Sequence, residues 1–139
     1  MSSKISLQAA EALHSGAIRV LRLVRTEDAQ AGIGPAQLSA LSVLVFAGEK
    51  TVGELATLEQ VQPPTMSRIV DGLVQKKLVE RVSSANDRRT VQISATPAGR
   101  KLLLAGRDRR VRALAKRFDD LSKKEVETLL AAAEIMKRI

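Results

Sequence analysis

Thr51-Val52-Gly53-Glu54-Leu55-Ala56-Thr57-Leu58 and, a few residues on, Pro63-Pro64-Thr65-Met66-Ser67-Arg68-Ile69-Val70-Asp71-Gly72-Leu73 are the two runs whose reading decides the fold. Thr51 and Glu54 stand at capping-box spacing, a hydroxyl at the N-cap and a carboxylate at N3, so a short helix is predicted to about Leu58. A turn of three or four residues then leads to Pro63-Pro64. Proline suits a first helical turn because its missing N–H would have no partner there. This second helix is predicted to end near Lys77, with Met66, Ile69, Val70 and Leu73 on its inner face. Two short helices joined by a tight turn are a helix-turn-helix.

Downstream the apolar period changes from about 3.6 to 2. Leu78-Val79-Glu80-Arg81-Val82 reads as one strand, and Val91, Ile93 and Ala95 alternate with polar residues in another. The polar segment between them carries Asn86-Asp87-Arg88-Arg89, a hairpin with a basic tip: a wing. Thr96-Pro97 then opens a helix through Leu102, Leu103, Val111 and Leu114 to Phe118. Ser122 and Glu125 form a further capping box ahead of a last helix with Val126, Leu129, Leu130, Ala133 and Met136.

Upstream, a helix from about Leu7 to Glu27 places Leu13, Ala17, Val20, Leu21 and Val24 on one face. Gly32 to Gly34 break it, and Pro35 opens another with Leu38, Leu41, Val45 and Phe46 until Gly48. The expected fold is therefore mainly α with a small β-hairpin wing. A winged helix-turn-helix at residues 35–96 is flanked by an N-terminal dimerisation helix at 1–34 and C-terminal dimerisation helices at 97–139.

The chain has 139 residues, 45% hydrophobic and 27% charged, enough for one ordinary soluble domain with a real core. No apolar run approaches the roughly 18 residues that cross a bilayer. Met1 to Ile5 lead into no long apolar stretch, so neither a membrane partner nor a signal peptide is expected. Cysteine is absent, which excludes disulfides and thiolate metal sites and fits a cytoplasmic protein. No cofactor or metal is expected.

Twenty-three Lys and Arg against 15 acidic residues leave a net charge of +8, which suggests a polyanionic partner. Aromatics are only Phe46 and Phe118. Single-stranded nucleic acids are held largely by stacking on aromatic rings, so double-stranded DNA is the better match.

In a helix-turn-helix the second helix enters the major groove, N-terminal residues foremost. On a helical wheel Pro64, Arg68, Asp71 and Gln75 face out, flanked by Thr65 and Ser67. Arg68 is the best base reader, because its fork can pair with two acceptors on a guanine edge. Thr65 and Ser67 offer hydroxyls to a base edge or phosphate, and Pro64 an apolar contact to a thymine methyl. The plainer reading is a solvated face on which Arg68 pairs with Asp71 at i,i+3. In the wing, arginine at a loop tip suits the narrow minor groove, where negative potential is strongest. Asp87 would help there by orienting an arginine. An ordinary charged loop is the alternative, and the conjunction of elements is what favours DNA.

The first and last helices carry more apolar surface than a winged helix-turn-helix can bury. Left exposed it would be an aggregation hazard. A homodimer interface involving Leu13, Val20, Leu21, Leu114, Phe118, Leu129, Leu130 and Met136 would cover it. The same symmetry would place two recognition helices on one DNA face, about 34 Å apart on a pseudo-palindromic site.

Taken together, Thr51 to Ala56, Pro64-Thr65-Met66-Ser67-Arg68-Ile69-Val70, Leu73, Leu78-Val79-Glu80-Arg81, Asp87-Arg88-Arg89 and Thr96-Pro97-Ala98-Gly99 resemble the multiple-antibiotic-resistance-regulator (MarR) family. The likeness covers nearly the whole chain. It implies a homodimer with interlocked first and last helices, a recognition helix in the major groove, and a wing arginine in the minor groove. By position Arg89 is that arginine, Asp87 its partner and Arg88 a support. The resemblance also implies repression of nearby genes, relieved by a small aromatic or anionic effector. Its cysteine-based oxidant sensing is excluded here. Ser94-Ala95-Thr96 departs from the family's usual leucine before the threonine, a packing change.

Rival readings are weak or coarser. An enzyme would need more than the single His14 and the adjacent Asp119-Asp120, and no phosphate loop or metal-ligand spacing occurs. An architectural protein that holds only phosphates is the main alternative, followed by an RNA-binding winged helix. Arg19, Arg22 and Arg25 could meet an anion, and the basic face of Arg107, Arg109, Arg110, Arg112, Lys116 and Arg117 could attract phosphate, but a solvated surface is the better reading of both. The effector's binding residues are unknown from sequence.

Overall fold

A side chain or a proline starts each α-helix among the described residues, and the first begins at Lys4, ahead of its expected start at about Leu7. In the computed structural model, which describes residues 1–83 and 89–139, the first helix α1 spans Lys4–Arg25, with the Ser3 hydroxyl accepting from the Ser6 amide. A 3₁₀ turn follows at Thr26–Ala31, then α2 (Pro35–Ala47), opened by its proline. Helix α3 (Val52–Leu58) has both arms of the Thr51–Glu54 capping box, and α4 (Pro63–Gln75) starts on its two prolines. The antiparallel hairpin pairs β1 (Val79–Ser83) with β2 (Val91–Ala95), Val79 opposite Ala95 and Ser83 opposite Val91. Helix α5 (Pro97–Phe118) is capped by the Thr96 hydroxyl, which accepts from the Gly99 amide at 3.1 Å. Helix α6 (Lys123–Met136) has both arms of the Ser122–Glu125 box. No helix among the described residues is long and apolar enough to cross a membrane.

Two compact units result, residues 28–108 and residues 1–27 with 109–139, and α5 runs from the one into the other. The first has a dry core: Leu41, Leu55, Met66, Val70, Leu73, Ile93 and Leu103 have almost no exposed surface. Each such side chain contributes roughly 1.5–3 kcal/mol on burial. Phe46, expected on the buried face of α2, is instead 62% exposed. It lies in the last turn, where the apolar period has already been met by Leu41, Leu44 and Val45.

The helix-turn-helix turn is built without glycine. Gln60 has φ 56°, the Val61 amide donates to Ala56 O at 3.0 Å and the Gln60 amide to Thr57 O at 3.2 Å. Helix α4 ends the same way: Lys77 has φ 60°, with Leu78 donating to Leu73 O at 3.0 Å and Lys77 to Val74 O at 2.9 Å. Both are Schellman closures, in which a left-handed residue returns two amides to the last turn. A side chain in that conformation costs about 1–2 kcal/mol, partly offset by the entropy that glycine would lose. Lys77→Gly is therefore expected to gain about 0.5–1 kcal/mol in a urea titration. An unchanged or lower midpoint would mean that Lys77 stabilises the fold by a contact of its own.

Candidate nucleic-acid interface

Helix α4 turns Met66, Val70 and Leu73 into the core with Ile69 half-buried, which leaves its opposite face to solvent. Pro64, Thr65, Ser67, Arg68 and Gln75 are all exposed. Because Pro63 and Pro64 have no N–H and the Met66 amide already donates to Gln62 O at 3.1 Å, the orphan donors of this helix start reduce to Gln62 and Thr65. A backbone donor, two hydroxyls and a guanidinium thus share the first two turns, at the positive end of the helix dipole.

Asp71 is engaged by Arg81 of β1 rather than by Arg68, so the i,i+3 pair weighed from sequence is not formed. The Arg81 pair joins α4 directly to the wing and neutralises a carboxylate on the exposed face of that helix. Both partners are exposed, so its contribution to stability is about 0–1 kcal/mol. Its weight lies in register, and sequence spacing gave no sign of it, since the partners are ten residues apart in different elements.

The wing is anchored on three sides. The backbones of Ile93 and Lys50 exchange two hydrogen bonds, at 2.7 and 3.2 Å, so the edge of β2 is pinned to the segment before α3. The Thr96 amide donates to Leu78 O at 3.0 Å, and the Thr96 hydroxyl to Lys77 O at 2.7 Å. Arg89 is exposed two residues before β2. Asp87 and Arg88 lie outside the described residues.

On the other unit, Leu13, Val20, Leu21, Leu129, Leu130 and Met136 are all exposed, while Leu114 and Phe118 are half-buried. Neither α1 nor α6 contains a buried residue. Between these helices runs an apolar groove of ≈ 480 Å³, lined in part by Leu13, Gly16, Val20, Leu21, Leu129 and Met136. His14 is exposed on α1.

These features match known regulators. The family model for the MarR family fits residues 31–90, and an uncharacterised HTH-type transcriptional regulator of Mycobacterium bovis is 34% identical over 119 residues, 86% of this chain and 83% of that protein. The chain belongs to the MarR family. A second relative, the HTH-type transcriptional repressor MdtR of Bacillus subtilis, is 34% identical over 111 residues, 78% of this chain and 68% of its own length. The fold is shared with a MarR family protein from Bacillus stearothermophilus, at a TM-score of 0.83 and 23% identity over 99% of this chain and 96% of that one. MarR membership makes the protein a DNA-binding transcriptional regulator with a winged helix fold.

Proposed function

We propose that the protein is a homodimeric repressor that reads a pseudo-palindromic operator. Pro64, Thr65, Ser67, Arg68 and Gln75 enter the major groove, and Arg89, with Asp87 and Arg88, the minor groove. The observation that carries this reading is the outward face of α4, whose polar and cationic side chains are exposed at the helix start while its apolar side is fully used by the core. The name of MdtR, a repressor, supports repression as the outcome. Exposed apolar groups on α1 and α6 support the dimer. Release of the operator by a small-molecule effector belongs to the same reading.

Binding to a duplex from upstream of the protein's own gene, compared with scrambled duplex across a salt series, tests it. A specific reader keeps a preference of roughly 10³ or more. Equal affinities with a steep salt slope would replace it with a phosphate-holding architectural protein. Arg68→Ala is expected to cost about 1–3 kcal/mol of operator binding and to relax preference at one base position. Arg89→Ala should weaken binding mainly at sites with A·T-rich flanks, since a narrow minor groove is where its charge is best placed. Affinity profiling against randomised half-sites and flanks reads both, and parental profiles for the two variants would reject the assignment.

A further inference from the structure

Arg68, Asp71 and Gln75 fall at i, i+3 and i+7 on α4 and share one exposed stripe. An acid in that stripe needs a reason. Asp71 stands about two turns from the helix start, too far in to gain from the dipole. Residues three apart on a helix are neighbours, so its carboxylate is a competitor for the Arg68 guanidinium. Yet Arg68 has no ion pair among the described residues, and Asp71 is taken by Arg81 of β1.

Three features give Arg81 the advantage. In the hairpin it stands opposite Ile93, which is fully buried and whose backbone exchanges two hydrogen bonds with Lys50. Its own backbone is thereby fixed before the pair forms. Its side chain is 43% exposed against 60% for Asp71, so part of its stem is already ordered by contact and less rotamer freedom is lost on pairing. Finally, a cation N-terminal to its acid is the poorer order within one helix, and that is the pair Arg68 and Asp71 would make.

We propose that Arg81 is a positioning residue for base recognition: by holding Asp71 it keeps the Arg68 guanidinium free for a base edge. The proposal rests on the reading of Arg68 given above. A released Asp71 would weaken binding twice over. Arg68 would have to leave it, and its uncompensated carboxylate would oppose the polyanion. Arg81 thus acts through Asp71, without contact to DNA, and the wing sets how available the base reader on α4 is.

Affinities of the full-length parent, Asp71→Asn, Arg81→Gln and D71N/R81Q for operator and scrambled duplex, read by anisotropy across a salt series, test it. Each result is taken as the operator-to-scrambled ratio, and the double variant keeps the parental net charge. Arg81→Gln is expected to lower the ratio about two- to fivefold, the size of an exposed ion pair, with the loss at the base position that Arg68 reads. Asp71→Asn should keep the parental ratio, and D71N/R81Q should return to it. Loss on operator and scrambled duplex alike, persisting in D71N/R81Q with a salt slope lower by about one, would make Arg81 a phosphate contact and overturn the proposal. Equal losses in the two single variants without rescue would make the pair a brace between α4 and the wing, and overturn it too. The Arg68 Nε–Hε resonance, followed without DNA, separates these results from a failure of the base reading itself. It should shift in Arg81→Gln and revert in D71N/R81Q, and an unmoved resonance overturns the exchange of partners. If it behaves as stated while Arg68→Ala keeps the parental base preference, the exchange stands and the reading of Arg68 falls.

Discussion

Replacing Leu21 with glutamate is expected to yield a monomer whose operator affinity falls by roughly 10²–10⁴-fold, the avidity that joining two half-site readers supplies. Leu21 is 61% exposed in the single chain and lines the apolar groove with Leu13, Val20, Leu129 and Met136. Truncating or charging it therefore removes little packing within one chain. In a dimer the same carboxylate would be taken from water into an apolar seam, at a cost of several kcal/mol unless paired. Sedimentation velocity reads the assembly state and anisotropy with operator DNA reads the affinity. Urea unfolding serves as the control, since the core around Leu41 and Met66 belongs to the other unit and should keep its midpoint. A variant that still sediments as a dimer would place the interface elsewhere. A dimeric parent alongside a monomeric variant with undiminished affinity would show that one half-site suffices.

Much of the fold was legible because its signals are local. Capping boxes at Thr51 and Ser122 and prolines at Pro35 and Pro63 fix helix starts through bonds within three residues, and the apolar period reports which face is inside. Features missed are those that depend on distant chain or on unusual backbone. The Schellman closures use Gln60 and Lys77 where a sequence reading looks for glycine. The Lys50–Ile93 bridge is a single residue pair and has no period. Phe46 shows that an apolar residue at a helix end need not be core once the packing positions are filled.

The site divides along the same line. A wheel drawn on the α4 sequence placed Pro64, Arg68 and Gln75 outside, and they are exposed. Asp71 also faces out, but the partner that decides its role comes from the wing. The basic face of α5 was visible as spacing, whereas its place in a concavity depends on Glu27, some eighty residues away in sequence.

The second large effect is expected at Gly99, where a helical Gly→Ala exchange should reverse its ordinary sign. In a helix interior alanine is favoured by roughly 0.8–1 kcal/mol. At Gly99, however, an added Cβ would stand 2.0 Å from Leu78 O, 3.0 Å from its carbonyl carbon and 3.2 Å from Leu41 Cδ1. The obstructing atom is backbone and has no freedom to turn aside. Leu78 O already accepts from the Thr96 amide, and the Leu78 amide closes the end of α4 through Leu73 O. Relief of the clash must open the base of the wing or the cap of the recognition helix. Gly99→Ala is accordingly expected to destabilise by about 3 kcal/mol, the upper range for overpacking. Urea unfolding should show a lower midpoint at unchanged slope. Gly53→Ala is the matched control: its new Cβ meets only Thr51 Oγ1 at 3.8 Å, an ordinary contact. There a gain of about 0.5–1 kcal/mol is expected. If both glycines respond alike, the loss is not steric and the wing is not held to α5 by this close approach. If they diverge as stated, residual operator binding by Gly99→Ala, measured where it is still folded, reports how much of DNA recognition depends on the wing keeping its place beside α4.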